Sequence, residues 1–146
     1  MKVEIKIEES CTEPKVVIVT DQMTDEINSI LLKLSEERTQ MIAGFKDEMV
    51  TLLEEADIYR FFSSAGKVYA ETKQGIYAIR LRLYEAEQRL YGKTFVRISN
   101  SDIINLKKVK NFDLSFSGTI CVTLMNGTVT YVSRRYVSKI KQKLGI

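Results

Sequence analysis

Histidine is absent from the 146 residues. With it go the usual general base near neutral pH, the commonest zinc ligand and every histidine-containing triad. Carboxylates could still serve an enzyme, but Glu36–Glu37, Asp47–Glu48 and Glu54–Glu55 are adjacent pairs, whose side chains diverge on a helix or strand. No GxGxxG, P-loop, HExxH or CxxC spacing occurs. The two cysteines, Cys11 and Cys121, lie far apart and fit no metal spacing, so free thiols are expected. Proline occurs once, at Pro14, and glycine seven times, which leaves no room for a long flexible linker. No apolar run approaches the roughly 20 residues of a membrane span. The alternating, charged start "MKVEIKIEES" is unlike a signal peptide. These absences point to a cytoplasmic, non-enzymatic protein with no cofactor, no metal and no small-molecule substrate.

What is present is charge, unevenly placed. The net charge is only +3. Residues 1–57 nevertheless carry six basic and fourteen acidic side chains, a net of −8, and residues 58–146 carry sixteen basic and five acidic, a net of +11. Such asymmetry between halves suggests that the basic half meets a polyanion, either nucleic acid or an acidic surface.

The hydrophobic pattern divides the chain near residues 38–41. Val3, Ile5 and Ile7 alternate with charged residues, the period of a strand, and Val16–Val19 reads as a second short strand. Thr24, followed by Asp25 and Glu26, is placed to begin a helix whose stripe is Ile27, Ile30, Leu31 and Leu34. Beyond it the chain reads as short strands. A hairpin is expected in 41–53 around Lys46–Glu48, and three strands in 56–81 broken at Ser63–Lys67 and Lys73–Gly75. A short helix with Leu83, Ala86 and Leu90 on one side, closed by Gly92, should follow. Asn126–Gly127 is the favoured pair for a two-residue hairpin turn, and Ser133 stands where it can cap a last helix, 134–144, with Val137, Ile140 and Leu144 inward. The expected class is mostly β (α+β). An acidic strand–helix extension, 1–40, would precede a β-rich module, 41–146.

The basic, amide and hydroxyl groups of the module gather where the chain turns. They are Ser63, Ser64 and Lys67 in one loop, Arg97, Ser99 and Asn100 in and after one strand, and Arg134 and Arg135 at a strand-to-helix junction. Such groups bind phosphates and read base edges. Lys107 and Lys108 add compact charges able to track a backbone. A binding module that uses this face on an acidic protein is the alternative. An RNA-binding protein would want exposed aromatic rings, whereas Tyr and Phe here fall mostly at strand-core spacing.

From Phe95 onward the sequence resembles the LytTR family of bacterial DNA-binding domains. The resemblance rests on "FVRISNSDIINLKKVKNF" (95–112) and "ICVTLMNGTVTYVSRRYVSKIKQKL" (120–144), with support from "DIYRFFSSAGKVYAET" and "LYEAEQRL". It pairs an F-x-R-x-x-x-S-x-I-x-N pattern with a following N-G-x-x-x-x-V-S-R-R-Y, and covers roughly 41–146. The chain is similar to compact members that carry a short extension in place of a receiver domain. The resemblance implies an elongated β fold whose loops enter successive major grooves of double-stranded DNA and bend it. It implies a sequence-specific transcription regulator able to act as a homodimer on paired promoter sites. The acidic extension, with its apolar helical stripe, is expected to assemble with protein, either a second copy or a small membrane-protein regulator. By position, the contacting loops would be Ser63–Lys67, Ser99–Asn100 and Arg134–Arg135. Many members carry histidine where this chain has Ser99.

Overall fold

The computed structural model describes residues 1–34 and 41–146. Its helices are α1 (Asp25–Leu34), α2 (Leu83–Arg89) and α3 (Arg134–Leu144). Its strands are β1 (Met41–Lys46), β2 (Met49–Glu54), β3 (Ile58–Ser64), β4 (Lys67–Thr72), β5 (Gly75–Ile79), β6 (Phe95–Arg97), β7 (Asp102–Asn105), β8 (Val109–Asp113), β9 (Ile120–Leu124) and β10 (Val129–Val132). A single turn of 3-10 helix, 55–57, leads into β3 and another, 106–108, leads out of β7. The strands form a seven-stranded sheet in the order β2-β1-β5-β4-β3-β7-β6 and a three-stranded sheet in the order β10-β9-β8, antiparallel throughout. The mostly β class expected from the sequence is what the chain adopts.

Period-two alternation gives the large sheet two apolar faces. On one, Ile42, Leu53, Phe61, Ala70, Ile79, Phe95 and Ile103 pack beneath Leu83 and Ala86 of α2 and Leu90 at its C-cap. On the other, Val96, Ile98 and Ile104 meet Ile120, Val122, Leu124 and Val132 of the small sheet and Ile140 of α3. The outer strands of this second face are not covered in the same way, since Met41, Val50, Leu52 and Ile76 are all exposed.

The hairpin β1–β2 turns through Asp47 and Glu48, both at positive φ (50° and 63°), the left-handed geometry that matches strand twist. Within β1, Gly44 allows Tyr77 and Leu53 to close over the strand. A Cβ there would lie 2.8 Å from Tyr77 Cβ and 2.8 Å from Leu53 Cδ1. Gly44→Ala should therefore cost about 1–3 kcal/mol, by overpacking against a neighbour that sits on backbone. Urea unfolding of the two proteins checks it, and equal midpoints would mean that β1 and β5 can separate freely.

Three local expectations need correction. The segments 3–7 and 16–19 form no strand; Val3, Ile5 and Ile7 are 82%, 87% and 90% exposed. Alternation alone does not make a strand, because an unpaired segment has no ladder to satisfy its backbone and no apolar surface to cover. The Asn126–Gly127 turn is not the two-residue form. Only Gly127 has positive φ (90°), and Gly127 N–H donates to Leu124 O (2.9 Å) while Leu124 N–H donates to Thr128 O (2.8 Å). That is a three-residue loop ending in a left-handed glycine. Ser133 does occupy the N-cap position of α3, but its side chain makes no capping bond. Its N–H instead reaches Ile98 O at 2.9 Å.

The first helix begins as read, with Ile27 N–H donating to Thr24 Oγ1 at 3.3 Å. Ile27 is buried, whereas Leu31, Leu32 and Leu34 are 42%, 43% and 52% exposed. Ser29, Leu32 and Lys33 of α1 line a cleft together with Lys139 and Lys143 of α3. No described helix is long and apolar enough to cross a membrane.

Candidate nucleic-acid interface

Three turns meet at one end of the large sheet. β3 and β4 are joined by Ala65 and Gly66 alone, at φ 50° and 77°, with Ser64 opposite Lys67 as the closing pair. Positive φ at alanine is uncommon and marks a tight, specified tip. β6 and β7 are joined by residues 98–101, where Ile98 N–H donates to Asp102 O at 3.0 Å. The junction of β10 and α3 is the third. Backbone bonds tie them in series: Ser63 N–H to Ser101 O at 2.8 Å, and Ser133 N–H to Ile98 O at 2.9 Å. Eight of the ten candidate residues therefore share one end of the molecule: Ser63, Ser64, Lys67, Arg97, Ser99, Asn100, Arg134 and Arg135.

Within that group the geometry separates builders from outward groups. Arg97 has a side chain only 13% exposed and is engaged internally by three hydrogen bonds. It donates from Nε to Ser99 O (2.6 Å), from Nη2 to Asn100 O (2.7 Å) and from Nη1 to Glu87 Oε2 of α2 (2.7 Å). It clamps the carbonyls of the 98–101 turn from behind. Ser99 Oγ accepts from Ser101 N–H (3.2 Å) and Asp102 N–H (3.0 Å), a local turn-making role. With those two residues occupied, Asn100 is the exposed side chain at the tip, and among the described residues its amide makes no hydrogen bond.

At the third turn both arginines are exposed. Arg134 lies against the bare backbone of Gly118, where a Cβ would sit 3.1 Å from its Nε. Arg135 leans over the Tyr136 ring at 5.2 Å and donates to its hydroxyl at 3.3 Å. Neither is paired with a carboxylate among the described residues. Two cations in the first turn of a helix oppose its dipole by about 0.3–1 kcal/mol each. An anionic ligand at that place would reverse the sign.

Lys107 and Lys108 are not part of this end. They follow β7, which runs from Asp102 beside the turn to Asn105, so roughly 10 Å of strand separates them from it. Lys108 Nζ lies 5.3 Å from the Tyr59 ring centre, beside the β9–β10 loop, whose Met125 N–H donates to Lys108 O at 2.8 Å. Asn105, a motif position, is buried; its Nδ2 donates to Ile58 O (2.9 Å), and its Oδ1 accepts from Thr94 Oγ1 (2.9 Å) and Lys107 N–H (3.1 Å). It is a splice between β3, β6 and the turn after β7.

Sequence reading missed two features. One is a polar network under the turns: Arg60 donates to Asp102 Oδ2 (2.9 Å) and Glu71 Oε2 (3.2 Å), Thr130 Oγ1 to Asp102 Oδ2 (2.9 Å) and Ser101 Oγ to Asp102 Oδ1 (3.0 Å). It joins the two sheets. The other is Arg80 and Arg82, which line a cleft with Ser63, Lys67 and Arg97 at the same end. Outside this end, two bonds from Ser115 hold the Asp113 carboxyl below the ordinary carboxylate range. No cluster of three or more metal-ligating side chains occurs among the described residues.

Residues 48–145 match the model of the LytTr DNA-binding domain family. An uncharacterized HTH-type transcriptional regulator of Staphylococcus aureus (strain NCTC 8325 / PS 47) is 31% identical over 147 residues, covering all of this chain and 99% of its own. A counterpart in strain MRSA252 is 30% identical over the same span. Among solved structures, the LytTr DNA-binding domain of a Bacillus cereus protein described as a methyl-accepting/DNA response regulator superposes with a TM-score of 0.71 at 19% identity, covering 74% of this chain and 99% of that one. Although those relatives are named as HTH-type, no two helices of this chain follow each other without intervening strands among the described residues. The matched region includes all three turns and every strand except β1, and on it the chain belongs to the LytTr DNA-binding domain family.

Proposed function

We propose that this chain is a sequence-specific transcription regulator that places the tip of the β3–β4 hairpin with its flanking Ser64 and Lys67, the turn 98–101 and the junction 133–135 in successive major grooves of double-stranded DNA. The observation that carries the reading is the convergence of those turns, fixed by backbone hydrogen bonds, with Ser64, Lys67, Asn100, Arg134 and Arg135 outward. Asn100 and Arg135 read base edges; Lys67 and Arg134 hold phosphates. Arg97 and Ser99 act by shaping the turn that presents Asn100. Lys107 and Lys108 lie outside the proposed surface. The test is selection of sites from a random duplex pool by the full chain, followed by binding to the recovered and to scrambled duplex across a salt series. Expected are a preference for the recovered duplex and a steep fall in affinity with salt. Equal affinity for single-stranded RNA, or a flat salt response, would overturn the reading.

The extension, 1–40, is proposed to assemble with protein, as a homodimer on paired sites or with a small membrane-protein regulator. Its support is the apolar surface that Leu31, Leu32 and Leu34 leave exposed on α1. Sedimentation should show a concentration-dependent dimer that Leu32→Lys weakens by about tenfold or more, as expected when a charge is placed in an apolar contact. A monomer at every concentration, together with no capture of a genetically linked membrane protein, would reduce α1 to packing.

A further inference from the structure

We infer that Lys67, Arg80 and Arg82 form a second clamp on the duplex backbone, flanking the base-reading turns; the inference rests on the DNA-binding reading above. The argument begins with strand register. Val68 pairs with Ile79 in the antiparallel β4–β5 ladder, so Lys67 and Arg80, one step beyond on each strand, stand opposite each other. Ser64 pairs with Lys67 on the other side. Ser64, Lys67 and Arg80 therefore form a row across three neighbouring strands, on one face of the sheet, spanning about 10 Å at the usual strand spacing. That length covers about three phosphates of one DNA strand.

Arg80 is held in place rather than trailing in solvent. Its guanidinium carbon lies 4.2 Å from the Phe45 ring centre, which fixes a planar donor fork without consuming its hydrogen bonds. Arg82 follows two residues later, where the chain stops at the start of α2, and its N–H is tied to Glu85 Oε1 at 3.1 Å. Ser63, Lys67, Arg80, Arg82, Tyr84 and Arg97 line one open cleft. Of the carboxylates nearby, Glu85 is engaged by the Arg82 backbone and Glu87 by Arg97. Tyr84, 57% exposed, adds a hydroxyl of the kind that contacts phosphates. Because the β3–β4 hairpin is shared, a duplex seated on the turns brings its backbone past this edge.

The experiment compares the full chain with Arg80→Gln/Arg82→Gln and Arg80→Lys/Arg82→Lys. The probes are the duplex recovered by selection and a scrambled duplex of equal length. In the Gln variant the slope of log affinity against log salt should fall by about two units, with both duplexes weakened in parallel and their ratio unchanged. The Lys variant should keep the slope. Because Arg80 packs on Phe45, Arg82→Gln alone is measured as well, and should remove about one unit. An unchanged slope in folded Arg82→Gln and in the double variant overturns the clamp, and so does a collapse of the ratio, which would make these residues base readers. If Arg135→Ala still lowers the preference in the same assay, only the clamp falls. If the unaltered chain shows no salt-dependent duplex binding, both readings fall.

Discussion

Asp102→Ala is expected to be among the most destabilising single changes in the protein, at about 3 kcal/mol. Its side chain is only 10% exposed, and one carboxylate receives Arg60 of β3, Thr130 of β10 and the neighbouring Ser101. Truncation would leave Arg60, itself 17% exposed, with Glu71 as its remaining partner and Thr130 with none of this network. Removing one member of a buried, hydrogen-bonded pair costs roughly 3–5 kcal/mol, and the surviving Arg60–Glu71 contact argues for the low end. For a chain of this size that is roughly a 10 °C fall in melting temperature. Thr130→Val isolates the bond between the sheets and should cost about 1 kcal/mol. An Asp102→Ala protein within 0.5 kcal/mol of the parent in urea would show that this polar network adds nothing to the apolar and backbone contacts that hold the small sheet. Because Ser101 closes the 98–101 turn, the same variant should also bind DNA more weakly at temperatures where it remains folded.

Most of the architecture was legible because its signals are local. The expected break at 73–75 falls between β4 and β5, that at 63–67 narrows to Ala65 and Gly66 between β3 and β4, and the stripe Leu83, Ala86, Leu90 is the face buried by α2 and its C-cap. Failures came where local signals need a distant partner. Val3, Ile5 and Ile7 have the period of a strand, but no strand among the described residues pairs with them. Asn126–Gly127 has the composition of the tight turn, yet the β9–β10 register sets the loop one residue longer. Arg97 looked like a contact residue because arginine after a strand is ambiguous until its acceptors are known. Two of those acceptors are carbonyls of its own turn, which supports the proposed positioning role without testing a DNA contact. Arg80 was invisible for the opposite reason. It becomes a neighbour of Lys67 only through the β4–β5 register, thirteen residues apart in sequence.

Arg135→Ala and Asn100→Ala should each lower the preference for the selected duplex by about 1–3 kcal/mol, on the order of 5- to 150-fold, while changing affinity for scrambled duplex much less. Neither side chain is needed by the fold. Arg135 is exposed and packs on Tyr136, and Asn100 stands at the tip of a turn that Arg97 and Ser99 already hold. Their chemistry suits the two purines: a planar fork for the O6 and N7 acceptors of guanine, and one donor with one acceptor for the edge of adenine. Arg135→Lys discriminates further, because it keeps the charge but loses the fork. If Arg135 reads guanine, the lysine variant loses preference nearly as much as alanine while retaining the salt slope. If it only holds a phosphate, lysine restores binding to both duplexes. Arg97→Ala provides the contrast. Without its clamp on Ser99 O and Asn100 O, preference should fall together with thermal stability, whereas Asn100→Ala should leave the melting temperature within a degree or two. Preference unchanged in folded Arg135→Ala would move base reading to Arg134 or to the shoulders of the 63–67 hairpin.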